Sequence, residues 1–339
     1  MSLSHTEHEI LSQPDAWRQT LQSLDTGSLT GPFADVTDVL VTGCGSTHYL
    51  AMSAAALLRG TGLRANAMPA SELLAAASPR LANPGGTVLL AISRSGTTTE
   101  TVRAVDNFRR LGGQTVAAIT CYPDSRLAQQ ADRCWAAPAA AEQSVAQTRS
   151  FTSMLVIVQG IAGALHGADL HELDRLPGLA QGLLETSRPA MRELGADMRI
   201  SAFYFLASGA MFGIASEAML KLKEMSLTAS EAYHAMEFRH GPMSMCDATA
   251  AVVGLVSPER AALELAVLDD VTPMGPRVVT IGEAQQHPVP SDLPSWARPV
   301  LYLVPLQLLA LERALSKGLD PDNPRHLTAV IELDATNES

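Results

Sequence analysis

Ser93, Ser95, Thr97 and Thr98 crowd around Gly96 directly after an apolar run, Val88, Leu89, Leu90, Ala91 and Ile92. A buried parallel strand hands over to a helix in this way. Helix N-termini carry unsatisfied N–H groups and partial positive charge, so they attract anions. Hydroxyls and a glycine at that point can surround a phosphate with donors, with neither lysine nor metal. A Ser/Thr-rich helix cap accounts for the same six residues without any ligand, and the rest of the chain has to separate the two.

Ionisable side chains gather in a second stretch, from Glu217 to Pro242. Glu217, Lys221 and Glu224 are spaced i, i+4, i+7 and so share one helical face. A solvated surface salt bridge is the expectation for such a trio taken alone. Glu231, His234, Glu237, Arg239 and His240 then follow within ten residues and end at Gly241-Pro242, which breaks the chain. A histidine pinned by a Gly-Pro turn beside carboxylates suits acid–base work near neutral pH.

The elements that must position these residues alternate along the chain. Strand-like runs at 39–42, 64–68, 88–92, 115–120 and 134–137 are separated by helix-like runs at 49–59, 71–77, 99–111 and 126–131. A long helix at 150–166 and a helical connector at 167–199, holding Pro177 and Pro189, come next. Strands are then expected at 202–207, 250–256, 277–281 and 300–304, with helices at 216–225, 259–268 and 305–317. Such alternation implies α/β architecture, with parallel sheets covered by helices on both faces and ligands beyond the C-terminal strand ends. Each half opens alike, with an apolar strand, then Gly43-Cys44-Gly45-Ser46 or Ser208-Gly209, then an alanine-rich helix. This weak internal repeat suggests two copies of one α/β unit. The predicted organisation is an N-terminal helical segment at 1–30, α/β domains at 31–166 and 196–318, a connector at 167–195 and a tail at 319–339.

With 339 residues, 47% hydrophobic and only 17% charged, the chain has ample core for two domains. Its formal charge of −11 argues against nucleic acid or an anionic membrane surface as partner. The segment at 200–216 carries no charge but holds Ser201, Ser208, Gly209 and Gly213, and reads as strand, tight loop and helix start, not as a membrane span. The polar start of the chain is no secretory signal. Cys44, Cys121, Cys134 and Cys246 form no C-x-x-C pair, so reduced thiols in a cytoplasm are expected, with no metal site.

Taken in order, Gly43-Cys44-Gly45-Ser46, Ser93 to Thr98, Glu142 to Phe151, Glu217 with Lys221 and Glu224, and Glu237 to Pro242 resemble the sugar-isomerase (SIS) family. The likeness is to the isomerase half of glutamine–fructose-6-phosphate aminotransferase and its stand-alone relatives, and it runs from Glu9-Ile10 and Gln13-Pro14 to Pro324-Arg325. It implies two doubly wound, flavodoxin-like SIS domains in tandem and no cofactor. By the same resemblance Ser93, Ser95 and Thr98 bind the substrate phosphate, aided by the backbone of Arg94 to Gly96. Ser46 and Thr47 close the site, and Val145 and Gln147 contact the sugar. Glu224 is the implied base between C1 and C2, Lys221 orients it or shares its charge, and His240 is the ring-opening acid–base from the neighbouring subunit of a homodimer.

Two departures from the family pattern stand out. Met1 is followed by Ser2 and not by the cysteine nucleophile of a glutaminase domain, so glutamine hydrolysis is not expected. Ala329 occupies the position where relatives carry a lysine able to form an imine with the ketose, although Arg325 or His326 can still serve a lid. The implied activity is conversion of glucosamine 6-phosphate to fructose 6-phosphate and ammonia. The alternatives are a deglycase or isomerase of another 6-phosphosugar, and a regulator that binds phosphosugar without turnover.

Overall fold

The computed structural model describes residues 3–74, 83–290 and 292–330. Two helices open the chain, α1 (His5–Leu11) and α2 (Gln13–Ser23). The fold divides into two compact units, each built on its own five-stranded, all-parallel sheet.

The first unit comprises residues 15–142, 149–174 and 328–330. Its strands are β1 (Asp38–Gly43), β2 (Arg64–Pro69), β3 (Thr87–Ile92), β4 (Thr115–Thr120) and β5 (Arg133–Ala136), in the order β2-β1-β3-β4-β5. The central strand β3 is buried at all six positions, which is why it reads as an unbroken apolar run. Leu89 and Ala91 of β3 pack with Leu40, Val116 and Ala118 under Val105 and Phe108 of α4 (Thr99–Arg110). That helix closes on Arg109 and Arg110, cations placed at the negative end of its dipole. Helices α3 (Ser46–Gly60), α5 (Arg126–Gln130) and α6 (Arg149–Leu165) complete the unit. The buried Trp17 indole donates to Thr152 Oγ1 on α6 at 2.9 Å. Of the helix expected at 71–77, Ala70–Leu73 is a 3-10 turn, and residues 75–77 lie outside the described residues.

The second unit comprises residues 3–14, 143–148 and 175–327. After α7 (Leu176–Ala196) come β6 (Ala202–Ala207), α8 (Met211–Ser226), β7 (Ala229–His234), β8 (Ala250–Val256), α9 (Ala261–Val271), β9 (Arg277–Gly282), β10 (His287–Pro288) and α10 (Pro299–Ser316). The order β10-β9-β8-β6-β7 repeats that of the first sheet, read from the other edge.

The strand expected at 300–304 is instead the first turns of α10. Residues 299–314 are all buried, so no polar face marks a helical period, and five apolar residues in a row look the same in either state. The same burial explains why 295–316 is long and apolar enough to cross a membrane while 89% of an 18-residue window within it is packed inside the protein. Edge strand β7 was not among the expected strands: Ala229, Glu231 and His234 are exposed, and Ser230 is its one buried residue.

Candidate functional site

In the first unit, sequence order reverses between β1 and β3, which pair side by side. Loops leaving the C-terminal ends of two such strands face a common crevice, the usual ligand position in open α/β sheets. From β1 come Ser46 and Thr47, both buried at the start of α3. Thr47 Oγ1 donates to Cys44 O and accepts from Cys44 N, each at 2.9 Å, so this hydroxyl shapes the loop itself. A side chain at Gly43 would meet Thr47 at 2.7 Å.

From β3 comes the loop at 93–98. Ser93 Oγ accepts from Gly96 N at 3.1 Å and lies 3.2 Å from Thr98 Oγ1. Ser95 Oγ accepts from Thr97 N at 3.2 Å. Gly96 adopts φ +65°, and a Cβ there would lie 2.0 Å from Ser125 Oγ, so only glycine lets the loop close. Thr98 stands at the N-cap of α4 yet makes no side-chain capping bond, which weakens the cap-only explanation for these residues. The arrangement concentrates hydroxyls and helix N–H groups at one point, a chemistry suited to a phosphate.

Arg94 behaves differently. Its carbonyl accepts from Cys121 N and Thr120 Oγ1 at 3.0 and 3.1 Å, fixing the loop backbone. Its guanidinium is buried, with Nη1 3.4 Å from Glu142 Oε2 and Nη2 donating to Ala329 O at 2.7 Å. The buried Glu142 also accepts from Ser150 N and Oγ at the start of α6. Arg94 therefore joins loop, helix and tail. Glu142 opens one of the motifs that carry the resemblance but was given no role there, and its pairing with Arg94, 48 residues away, has no local signal.

In the second unit, Glu217, Lys221 and Glu224 do share one face of α8, but the face is buried. Lys221 is 1% exposed, Glu217 fully buried and Glu224 18% exposed by side chain. The solvated salt bridge expected for the trio is thus overturned, because this face of the helix is packed away from water. Lys221 Nζ lies 3.3 Å from Glu217 Oε1 and donates to Glu224 Oε2. Burial opposes its charge, yet the two carboxylates outweigh burial and hold its ammonium above the ordinary lysine value. Glu224 is the member that reaches toward solvent.

The charged stretch after α8 sorts itself. Tyr233 donates to Glu231, which pushes the phenol up to about 12. Arg239 pairs with Asp270. His234 stacks on Phe212 with ring centroids 3.7 Å apart, and burial lowers its pKa. His240 is exposed, one step past a 3-10 turn anchored by buried Phe238, and Gly241 follows at φ +122°. Among the described residues no hydrogen bond or ion pair joins the His240 ring to Glu224 or Lys221.

The segment at 143–148 belongs to this unit and alternates. Ser144, Ala146 and Thr148 are buried, whereas Val145 and Gln147 point the other way. Among the described residues Gln147 Oε1 is buried without a hydrogen-bond partner. A cleft of about 560 Å³ lined by Leu11, Leu184, Arg188, Pro189 and Arg192 involves none of the expected site residues. Its cations are engaged, Arg188 by Glu7 and Glu312, and Arg192 by Glu312. Among the described residues no group of three His, Cys, Asp or Glu side chains is placed to hold a metal, and all four cysteines are free.

Known proteins share this architecture. Glucosamine-6-phosphate deaminase from Thermotoga maritima superposes with a TM-score of 0.88 at 28% identity, covering 97% of this chain and 100% of that one. The C-terminal domain of glucosamine-fructose-6-phosphate aminotransferase from Francisella tularensis gives 0.86 at 25% identity, covering 95% and 99%. In sequence, glutamine–fructose-6-phosphate aminotransferase of Xanthomonas campestris pv. campestris is 31% identical over 354 residues, covering 95% of this chain. The chain spans 58% of that relative's length. The SIS domain matches twice, at residues 33–162 and 200–292, and those two stretches carry β1 to β5 and β6 to β10. A pattern that accounts for both sheets and the loops between their strands leaves one conclusion: the chain belongs to the SIS domain family.

Proposed function

We propose that the chain is a phosphosugar isomerase of deaminating type, converting glucosamine 6-phosphate and water to fructose 6-phosphate and ammonia. The observation that carries the reading is the buried Glu217–Lys221–Glu224 set, in which one carboxylate alone reaches toward solvent. Burying charges costs several kcal/mol per ion unless pairing offsets it, and the one carboxylate left at the edge of such a set is placed to exchange a proton with a ligand. The T. maritima deaminase, matched over its whole length, points the same way.

In this mechanism Ser93, Ser95, Thr98 and the N–H groups at the head of α4 hold the phosphate. Ser46 and Thr47 close the crevice from β1. Val145 and Gln147 contact the sugar, with the unpartnered Gln147 Oε1 accepting from a hydroxyl. His240, exposed on its own chain, acts on the partner subunit's substrate in a cytoplasmic homodimer and moves the O1 proton to the ring oxygen as the ring opens. Glu224 takes the proton from C2 while a proton passes from the amine to O1, forming the enolamine, and returns its proton to C1 to leave an imine at C2, with Lys221 keeping the carboxylate in place. Water then adds at C2 of the resulting imine and ammonia leaves. The tail forms a lid, held at Ala329 by Arg94. Ala329 supplies no amine, so no step passes through an imine to the protein.

That same Ala329 favours a second reading, a phosphosugar-binding regulator. One experiment decides: pure protein incubated with a panel of 6-phosphosugars, read for free ammonia, ketose and solvent-deuterium exchange at C1 and C2. Ammonia and ketose from glucosamine 6-phosphate are expected. Binding without exchange or ammonia from any sugar would establish the regulator instead.

A further inference from the structure

We propose that Glu9, on the first helix of the chain, is a positioning residue for sugar recognition, an inference that rests on the functional reading above. Glu9 is 2% exposed. Its Oε1 accepts from Gln143 N at 2.6 Å and from Ser144 N at 3.4 Å, and its Oε2 accepts from Ser144 Oγ. A buried carboxylate is tolerated when donors surround it, and here all the donors it meets come from one two-residue stretch. The other end of that segment is held as well, since the buried Gln307 of α10 donates to Thr148 O at 3.1 Å. Between the clamps, Ser144 Oγ also lies 2.9 Å from Ala146 O. Residues 144, 146 and 148 are buried and Val145 and Gln147 between them are half-buried, so holding the bends of this segment fixes where those two side chains lie.

Helix α1 can serve as such a clamp because it is itself fixed. Ser4 Oγ accepts from Glu7 N at 3.1 Å, and Asp322 accepts from His5 N, Thr6 N and Thr6 Oγ1 at 2.7 to 2.8 Å. Arg188 pairs with Glu7, and Ile10 is fully buried. Glu9, far in sequence from every expected site residue, thereby sets where the sugar-contacting side chains lie. It touches no substrate atom.

The phosphate and sugar contacts come from different segments, so the two can be read separately. Calorimetric affinities for inorganic phosphate and for glucosamine 6-phosphate are measured with wild type, E9Q, E9D and S144A. E9Q is expected to weaken glucosamine 6-phosphate at least tenfold and to leave phosphate within twofold. E9D should recover part of the loss, and S144A should show the same pattern at smaller size in a fully folded protein. Amide exchange at Gln143 and Ser144 should accelerate in E9Q. If wild type binds the phosphosugar but E9Q and S144A bind it equally well, or lose phosphate in the same proportion, the positioning role is overturned on its own. If wild type binds no phosphosugar in the panel, the functional reading falls and this inference falls with it.

Discussion

The loop after β3 in the first unit and the loop after β8 in the second occupy the same place in the same strand order, yet they are finished in opposite ways. After β3, Ser93 and Ser95 fold their hydroxyls onto the loop's own N–H groups around Gly96, and Thr98 leaves the head of α4 without a side-chain cap. After β8, Ser257 N and Oγ donate to Glu264 Oε2 at 2.7 and 3.1 Å, and that glutamate is buried. One copy leaves the helix head without a side-chain partner, as the proposed phosphate site requires; the other has filled the equivalent place with its own carboxylate. The helices after β1 and β6 reverse the distribution. In α3 no charged residue appears before Arg59, whereas α8 buries Glu217 and Lys221. On the proposed function, the duplicated fold divides labour between its copies, anion binding in one and acid–base chemistry in the other, which would locate function in the loops and faces and not in the architecture.

Breaking the acid–base side should have the largest effect. Glu224→Gln keeps size and removes the base, so turnover should fall about 100-fold or more while phosphosugar affinity stays close to wild type. Equal losses in both would instead make Glu224 a binding group. Lys221→Met leaves two carboxylates without their cation and should cost about 3–5 kcal/mol in chemical denaturation. Mixing Glu224→Gln and His240→Ala dimers after subunit exchange should restore about a quarter of wild-type activity, because half of the dimers are mixed and each mixed dimer has one intact site. No recovery despite exchange would put both residues in the same chain's site.

The anion side comes next. Replacing both Ser95 and Thr98 with Ala should weaken phosphosugar binding by about 1–3 kcal/mol, as expected for hydrogen bonds to a charged group. Ser257→Ala, the matching change in the other copy, should leave binding unchanged. Equal weakening by both would dissolve the division of labour.

Much of this was legible in the residues. Buried parallel strands such as β3 and β8 announce themselves as apolar runs bounded by small polar residues, and the end of β3 also fixes where the loop at 93–98 begins. Three things were hidden. Helix α10 is buried on every side, so its pattern carries no period. The edge strand β7 exposes a glutamate and a histidine, so it lacks the apolar signal. The trio on α8 has the spacing of a surface salt bridge, and only tertiary packing reveals it as buried. Arg94 and Glu9 share a further difficulty: each works through partners distant in sequence, and a sequence motif records only neighbours.

The smallest effect expected concerns how the two units hold the tail, and it separates them by pH. The first unit holds residue 329 through Arg94, whose guanidinium donates to a main-chain carbonyl. The second unit holds residue 322 through its carboxylate. Burial raises the Asp322 pKa, but the backbone and hydroxyl donors of Thr6 and the backbone of His5 outweigh it and set the folded value below the ordinary one. A group whose pKa is lower folded than unfolded contributes stability that is fully present above the unfolded value, about 3.9 for an aspartate, and is lost as pH falls through the folded value. Asp322→Asn should therefore lower Tm by a few degrees at pH 7, and the gap to wild type should close progressively below about pH 4. Exchange at His5 and Thr6 N–H should rise over the same range while the Arg94–Ala329 contact persists. A gap that stays constant down to pH 3 would show that Asp322 acts by shape and not by charge, leaving the Arg188–Glu7 pair as the electrostatic anchor of the first helix.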